Sequence, residues 1–134
     1  IGLRVKPGDT IKLNNHVIVE VTEAYNREEF SQAHPRGLGV GYILKFEDGT
    51  TVYHMGDTNL IDEILEIKNK INILLTPIGG DTVMTPEEAS EAVKSLRPTI
   101  AIPIHFTNPK SFYKFRDISQ PYTQVILLRG VVSG

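Results

Sequence analysis

Ile71-Asn72-Ile73-Leu74-Leu75, then Thr85-Pro86-Glu87-Glu88, then Ile100-Ala101-Ile102-Pro103-Ile104: these three runs decide the fold. The first and third are short, nearly all apolar and rich in β-branched residues, which suits strands buried on both faces. Between them lies a strong helix start. Thr85 can cap, Pro86 takes the first helical position, where a missing N–H costs nothing, and Glu88 completes a capping box. Ala89, Ala92, Val93 and Leu96 give that helix an apolar face. Strand, helix, strand is a βαβ unit. Pro103 has no N–H for a central ladder, so a distortion or a strand end is expected there.

Working outward, Leu60, Ile64, Ile67 and Ile71 stand at i, i+4, i+7 and i+11, one face of a helix. Val40 to Phe46 and Thr51 to His54 flank Glu47-Asp48-Gly49-Thr50, a hairpin with a glycine in its turn. Leu3 to Lys6 alternates, Pro7-Gly8-Asp9 turns, and Thr10 to Leu13 alternates again. Asn14-Asn15 is a second turn before the β-branched run Val17 to Val21, so the opening reads as a β-meander. Tyr25 to Gly39 breaks the pattern: it is polar, holds His34-Pro35 and has no clean period. Long irregular segments inside small domains are often functional. Downstream, Pro109 to Phe115 predicts a short helix and Gln124 to Leu128 a last strand. The expectation is an α/β fold, a mixed β-sheet flanked by helices, in a single domain over residues 1–134.

Composition narrows the function classes. Fourteen Lys and Arg stand against 16 Asp and Glu, a formal net charge of -2. That provides neither the basic footprint of a nucleic-acid binder nor a polybasic membrane patch. The chain has no cysteine, so disulfides and thiolate metal sites are excluded and any metal must be held by His, carboxylate, backbone or water. No apolar run approaches the ~20 residues of a membrane span. A cytoplasmic location is expected.

Three segments follow a strand and precede a helix: Gly56-Asp57-Thr58, Gly79-Gly80-Asp81-Thr82 and His105-Phe106-Thr107. Ligand sites in open α/β sheets gather beyond the carboxyl ends of the strands. If the three strands are neighbours, Asp57, Asp81 and His105 converge on one edge. Carboxylate and imidazole together suit Zn, Mn or Fe. Each residue also has a structural reading. Asp57 could cap the following helix, His105 could be a satisfied core histidine, and Asp81 could serve loop amides or cap the next helix. His54 lies two residues from the opposite sheet face and is read as packing or hydrogen-bonding, and His16 as a turn residue. Glu87 and Glu88 suit a helix start, where the macrodipole favours carboxylates.

Val52-Tyr53-His54-Met55-Gly56-Asp57-Thr58 resembles the strand and Gly-Asp-Thr signature of metallo-β-lactamase-fold hydrolases. Leu75-Thr76-Pro77-Ile78-Gly79-Gly80 and Met84-Thr85-Pro86-Glu87-Glu88-Ala89 resemble the next loop and helix of its ascorbate-6-phosphate lactonase-like branch. Ile102-Pro103-Ile104-His105-Phe106 is similar to the segment that closes the metal site, and Ala24-Tyr25-Asn26 with His34-Pro35 also looks like this branch. The resemblance runs from about Val5 to Phe106. It implies half of an αββα sandwich. It implies that Asp57 is the carboxylate bridging two metals and that His105 is the last histidine ligand. It implies a metal-bound hydroxide attacking an ester, lactone or phosphoester, with zinc expected and manganese or iron as alternatives. His34, Asp81 and Thr82 fall in segments that resemble substrate-facing loops, and a small-molecule substrate is implied.

One departure is large. The family's His-x-His-x-Asp-His run is not here: the four histidines stand at 16, 34, 54 and 105. A catalytic zinc keeps three protein ligands and an open position, and the resemblance supplies two. The expectation is a C-terminal half whose metal site is completed by an N-terminal half, or by pairing of two copies through an exposed apolar sheet face. A non-catalytic module that folds and self-associates is the competing reading. A phosphate-binding domain built on the Gly79-Gly80 loop is a third, weakened because the loop carries Asp81 and no Lys or Arg.

Overall fold

The computed structural model describes residues 2–129. Its elements run β1 (Thr10–Lys12), β2 (Val17–Glu23), β3 (Val40–Phe46), β4 (Thr51–His54), α1 (Asp62–Leu65), β5 (Ile73–Pro77), α2 (Pro86–Leu96), β6 (Ile100–Ile104), α3 (Pro109–Ser119) and β7 (Gln124–Val125). The seven strands form one sheet in sequence order. β1 to β4 pair antiparallel and β4 to β7 pair parallel, so the meander and the βαβ series meet at β4. The mixed α/β architecture is the one expected. Among the described residues no helix is long and apolar enough to cross a membrane.

The register separates the two faces. Ile43 pairs with Tyr53, Tyr53 with Leu74 and Leu74 with Ala101, so these side chains share a face. All are buried in one core with Ile64 of α1, Ala89, Ala92, Val93 and Leu96 of α2, and Phe115 of α3. The helices therefore pack on that face. A Ser90–Ser119 hydroxyl bond of 2.9 Å ties α2 to α3 inside the core. The opposite face carries Val19, Leu44, Val52, Ile73 and Ile100 in one row and Tyr42, His54, Leu75 and Ile102 in the next. Most of these are only half-buried, and Tyr42 and His54 are exposed.

Local chemistry accounts for the helix ends. Thr85 Oγ1 accepts from Glu88 N at 3.2 Å while Glu88 Oε1 accepts from Thr85 N at 3.3 Å, closing the expected capping box. Asn108 caps α3 by accepting from Lys110 N, with Pro109 at the first helical position. That helix is longer than expected, reaching Ser119.

Several expectations are corrected. The stretch Leu3 to Lys6 is not a strand; β1 begins at Thr10. The helix read from Leu60 to Ile71 is only Asp62–Leu65, with no side-chain cap. Its apolar positions still face inward, Ile64 and Ile71 being fully buried, because spacing reports burial, while helicity also needs a nucleus and a cap. β7 stops at Val125. Pro103 does not end β6. Ala101 O accepts from Ile126 N at 3.0 Å, toward β7. Pro103, two residues on, turns its missing N–H to the same side, past the end of β7.

Candidate metal centre

Beyond the carboxyl ends of β4, β5 and β6 lie the three loops that the sequence singled out. Gly56 turns the chain at φ 73°, and a Cβ there would meet the Val40 carbonyl oxygen at 2.5 Å. Glycine thus lets Asp57 project from the strand end instead of following it. Asp57 caps nothing. Its carboxylate lies between two imidazoles, with Oδ2 3.3 Å from His34 Nε2 and Oδ1 3.6 Å from His105 Nε2. Asp57 and His105 are half-exposed and His34 is more enclosed, at 47%, 46% and 27% side-chain exposure.

His105 holds a left-handed backbone, φ 53°, which is strained for a residue with a side chain. Gly79 makes this possible: its backbone passes so close to the His105 carbonyl that a Cβ would collide with it. A cleft of about 370 Å³ opens here, lined by Gly80, Asp81, Thr82, His105 and Phe106 among others. Asp81 also has a left-handed backbone, φ 60°, and the cap of α2 belongs to Thr85.

His34 arrives from the long irregular segment, and a buried amide network holds it. Asn26, 4% exposed, accepts at Oδ1 from His34 N at 2.8 Å. Its Nδ2 donates to the Thr82 carbonyl at 2.7 Å and to Asn59 Oδ1 at 3.3 Å. Asn59 Oδ1 also accepts from Arg27 N at 2.9 Å. His34 Nδ1 lies 3.2 Å from the Thr82 carbonyl and 3.1 Å from Asn26 Oδ1. A carbonyl can only accept, so the Nδ1 proton is held there. In the neutral ring Nε2 is then a bare lone pair, and it faces the Asp57 carboxylate. Two acceptors facing one another call for a positive charge between them.

That geometry tests whether a divalent ion suits these residues. The donors are imidazole nitrogen and carboxylate oxygen, the set that suits Zn, Mn or Fe. The second ring nitrogen of His34 is held by a carbonyl, as in metal-ligating histidines. In number the set is short: among the described residues no group of three or more His, Cys, Asp or Glu is arranged to hold a metal ion.

The remaining residues are where local chemistry puts them. His54 is exposed on the open sheet face and accepts from Gly56 N at 3.1 Å. His16 is at an exposed turn, 2.6 Å from Glu47 Oε2. Glu87 pairs with Lys114, whose hydrogen bond holds its carboxyl below the ordinary value. Asn59 was not singled out from the sequence. A second cleft, of about 480 Å³, adjoins Asn26 and is lined by Tyr25, Arg27, Ser31, Gln32 and Arg36 among others. Arg27 pairs with Glu29 at 2.5 Å, while Arg36 lies over the Tyr25 ring, 5.2 Å from its centroid.

The family described as Beta-lactamase superfamily domain matches residues 3–105. The chain belongs to that superfamily. Among curated superfamily relatives, it is 31% identical to a UPF0173 metal-dependent hydrolase of Anaeromyxobacter dehalogenans over 74% of this chain and 38% of the relative. It is 30% identical to one of Caldivirga maquilingensis over 96% of this chain and 57% of the relative. A crystal structure from Parabacteroides distasonis superposes with a TM-score of 0.82 at 31% identity, covering 95% of this chain and 57% of that one. Igni18 of Ignicoccus hospitalis, described as a metallo hydrolase, gives 0.72 at 29% identity over 95% and 57%. The chain therefore spans between 38% and 57% of the length of these relatives. The curated relatives are named metal-dependent hydrolases, and the seven-stranded mixed sheet with its helices is the metallo-β-lactamase fold.

Proposed function

We propose that this chain is the C-terminal side of a metal-dependent hydrolase centre, and that His34, Asp57 and His105 are its contribution to the metal shell. The observation that carries the reading is the placing of His34: its Nε2 lies 3.3 Å from Asp57 Oδ2 while its Nδ1 lies 3.2 Å from the Thr82 carbonyl. Asp57, with an imidazole against each oxygen, suits the bridging carboxylate of the resemblance. Zinc is the first candidate, with manganese or iron as alternatives. Bound zinc lowers the pKa of its water from about 15.7 to about 7 and polarises a substrate oxygen.

The chain's own residues do the rest. Asn26 and Thr82 fix the orientation of His34 and hold its Nδ1 proton, so that Nε2 stays available. Gly79 lets His105 reach its strained position. Asp81 and Thr82 line the cleft beside His105, and we assign that cleft to the substrate. The substrate class is an ester, lactone or phosphoester, as in the lactonase-like branch whose motifs the chain follows in order. The shortage of ligands and the uncovered sheet face support completion by an N-terminal half or by a second copy.

A second reading, a non-catalytic module that self-associates, is favoured by the shortage of ligands alone. Metal content per chain separates the two. Purified protein dialysed against zinc is expected to retain a stoichiometric ion, lost in Asp57→Ala and in His34→Ala. Ester and phosphodiester screening then follows. Zinc retention no greater in wild type than in Asp57→Ala, also at concentrations that pair two copies and with a completing N-terminal half supplied, would overturn the first reading and leave the second.

A further inference from the structure

A separate cluster of oxygens lies away from the histidines. Among the described residues, four buried side-chain oxygens have no hydrogen-bond partner: Thr22 Oγ1, Glu23 Oε2, Tyr53 OH and Glu63 Oε2. All four residues line one cleft of about 370 Å³ between β2, β4 and α1. Tyr53 is fully buried. Burial pushes its phenol above the ordinary value, and the neighbouring Thr22 hydroxyl pulls slightly the other way. The other oxygen of Glu63 is occupied, accepting from Tyr25 OH at 3.0 Å.

Hydroxyls can be satisfied by water, but the carboxylates pose a charge problem as well. Neither Glu23 nor Glu63 has a Lys, Arg or His within ion-pair distance among the described residues. Glu23 and Glu63 each bring an unpartnered carboxylate oxygen to this one cleft, and a cation between them would answer both. The oxygen-only donor set excludes soft metals and points to a hard ion.

We propose that Glu23 and Glu63, with the hydroxyls of Tyr53 and Thr22, form a site for one hard divalent cation, calcium foremost. Two carboxylates balance the ion's charge and the hydroxyls supply neutral oxygens, water completing the shell. The ion would fasten α1 to β2 and β4. α1 is short and has no side-chain cap, so a bound ion would add to what Ile64 in the core already provides. Through Tyr25 the site would also brace the segment that leads to Asn26 and His34.

The test is calcium binding to the full chain after chelation. Wild-type protein is expected to take up one ion per chain in equilibrium dialysis. Its melting temperature should rise by roughly 5–10 °C once calcium stands ~100-fold above its dissociation constant. Glu23→Gln and Glu63→Gln keep shape and remove charge, and each should lose most of the shift. Asp57→Ala should keep it, which separates this site from the histidine centre. Tyrosine emission gives a second readout, since the chain has no Trp and Tyr25 and Tyr53 flank the site. No calcium-dependent shift in wild type at millimolar calcium would overturn the proposal. So would a shift that survives in the Glu23→Gln, Glu63→Gln double variant.

Discussion

Replacing Asn26 by alanine tests the framework that orients His34. The carboxamide makes four hydrogen bonds: from His34 N at 2.8 Å, with His34 Nδ1 at 3.1 Å, to the Thr82 carbonyl at 2.7 Å and to Asn59 Oδ1 at 3.3 Å. The first three are well formed and the fourth is long. At a net ~0.5–1.5 kcal/mol each, with partners left unsatisfied in a buried setting, the loss comes to about 2–4 kcal/mol. That is a large part of the ~5–15 kcal/mol that holds a domain together. With a urea slope of ~1–3 kcal/mol per molar, the unfolding midpoint should fall by roughly 1–2 M at unchanged slope. Circular dichroism is the suitable probe, the chain having no Trp. Nitrogen NMR of the imidazole gives the decisive second readout. In wild type the His34 proton should sit on Nδ1, and in Asn26→Ala that preference should weaken. A midpoint change below about 0.3 M, or a wild-type proton on Nε2, would refute the framework.

Gly79→Ala should cost about 1–3 kcal/mol and weaken zinc binding, because its Cβ meets the His105 backbone, which cannot yield like a flexible side chain; a thermal melt paired with zinc dialysis checks both. Burial first, and the Glu63 hydrogen bond second, push the Tyr25 phenol from 10.0 up to about 12. Since the folded pKa lies above the unfolded one, this group's stabilisation is present below pH 10 and lost as pH rises toward about 12. Urea midpoints across that window should fall less steeply in Tyr25→Phe. Leu44→Lys, on the half-buried outer row between Val19 and Val52, should leave circular dichroism unchanged. It should also weaken any self-association through that face by about tenfold or more, as sedimentation equilibrium would read it.

The features that were legible in the sequence are those whose cause is local. Thr85, Pro86 and Glu88 form a cap within one turn of chain, and the cap is there. The alternation of β2 to β4 and the apolar runs of β5 and β6 needed only a period and a length. That Asp57 and His105 share one edge was legible because strand ends in a βαβ series fall there, and the two lie 3.6 Å apart. Periodicity misled at Leu60 to Ile71, where inward-facing side chains hang on irregular backbone after Leu65. The company His34 keeps could not be read. It depends on Asn26 reaching across 33 residues to Asn59 and 56 to Thr82. It depends also on a backbone carbonyl of Thr82, a group that every residue carries and no side-chain pattern marks.

The sheet's outer face bears directly on the proposed function. β4, β5 and β6 are parallel neighbours, and parallel strands almost always have both faces covered. Here the helices cover one face, while Val52, Ile73, Leu75, Ile100 and Ile102 remain half-buried on the other. The proposed ligands Asp57 and His105 stand at the carboxyl ends of β4 and β6. The two deficits are therefore adjacent: an apolar face without a cover, and a metal shell short of donors. A cover laid along the outer rows would end beside Asp57 and His105, where a few imidazoles on its own edge could complete the shell. Neither deficit requires the other, and a purely structural cover would remedy only the first. A partner that remedies both is the simpler account, because burying the face would also seat the missing ligands. On that account, metal affinity and association are linked. Zinc should strengthen assembly in wild type and lose that effect in Asp57→Ala, while Leu44→Lys should weaken both together.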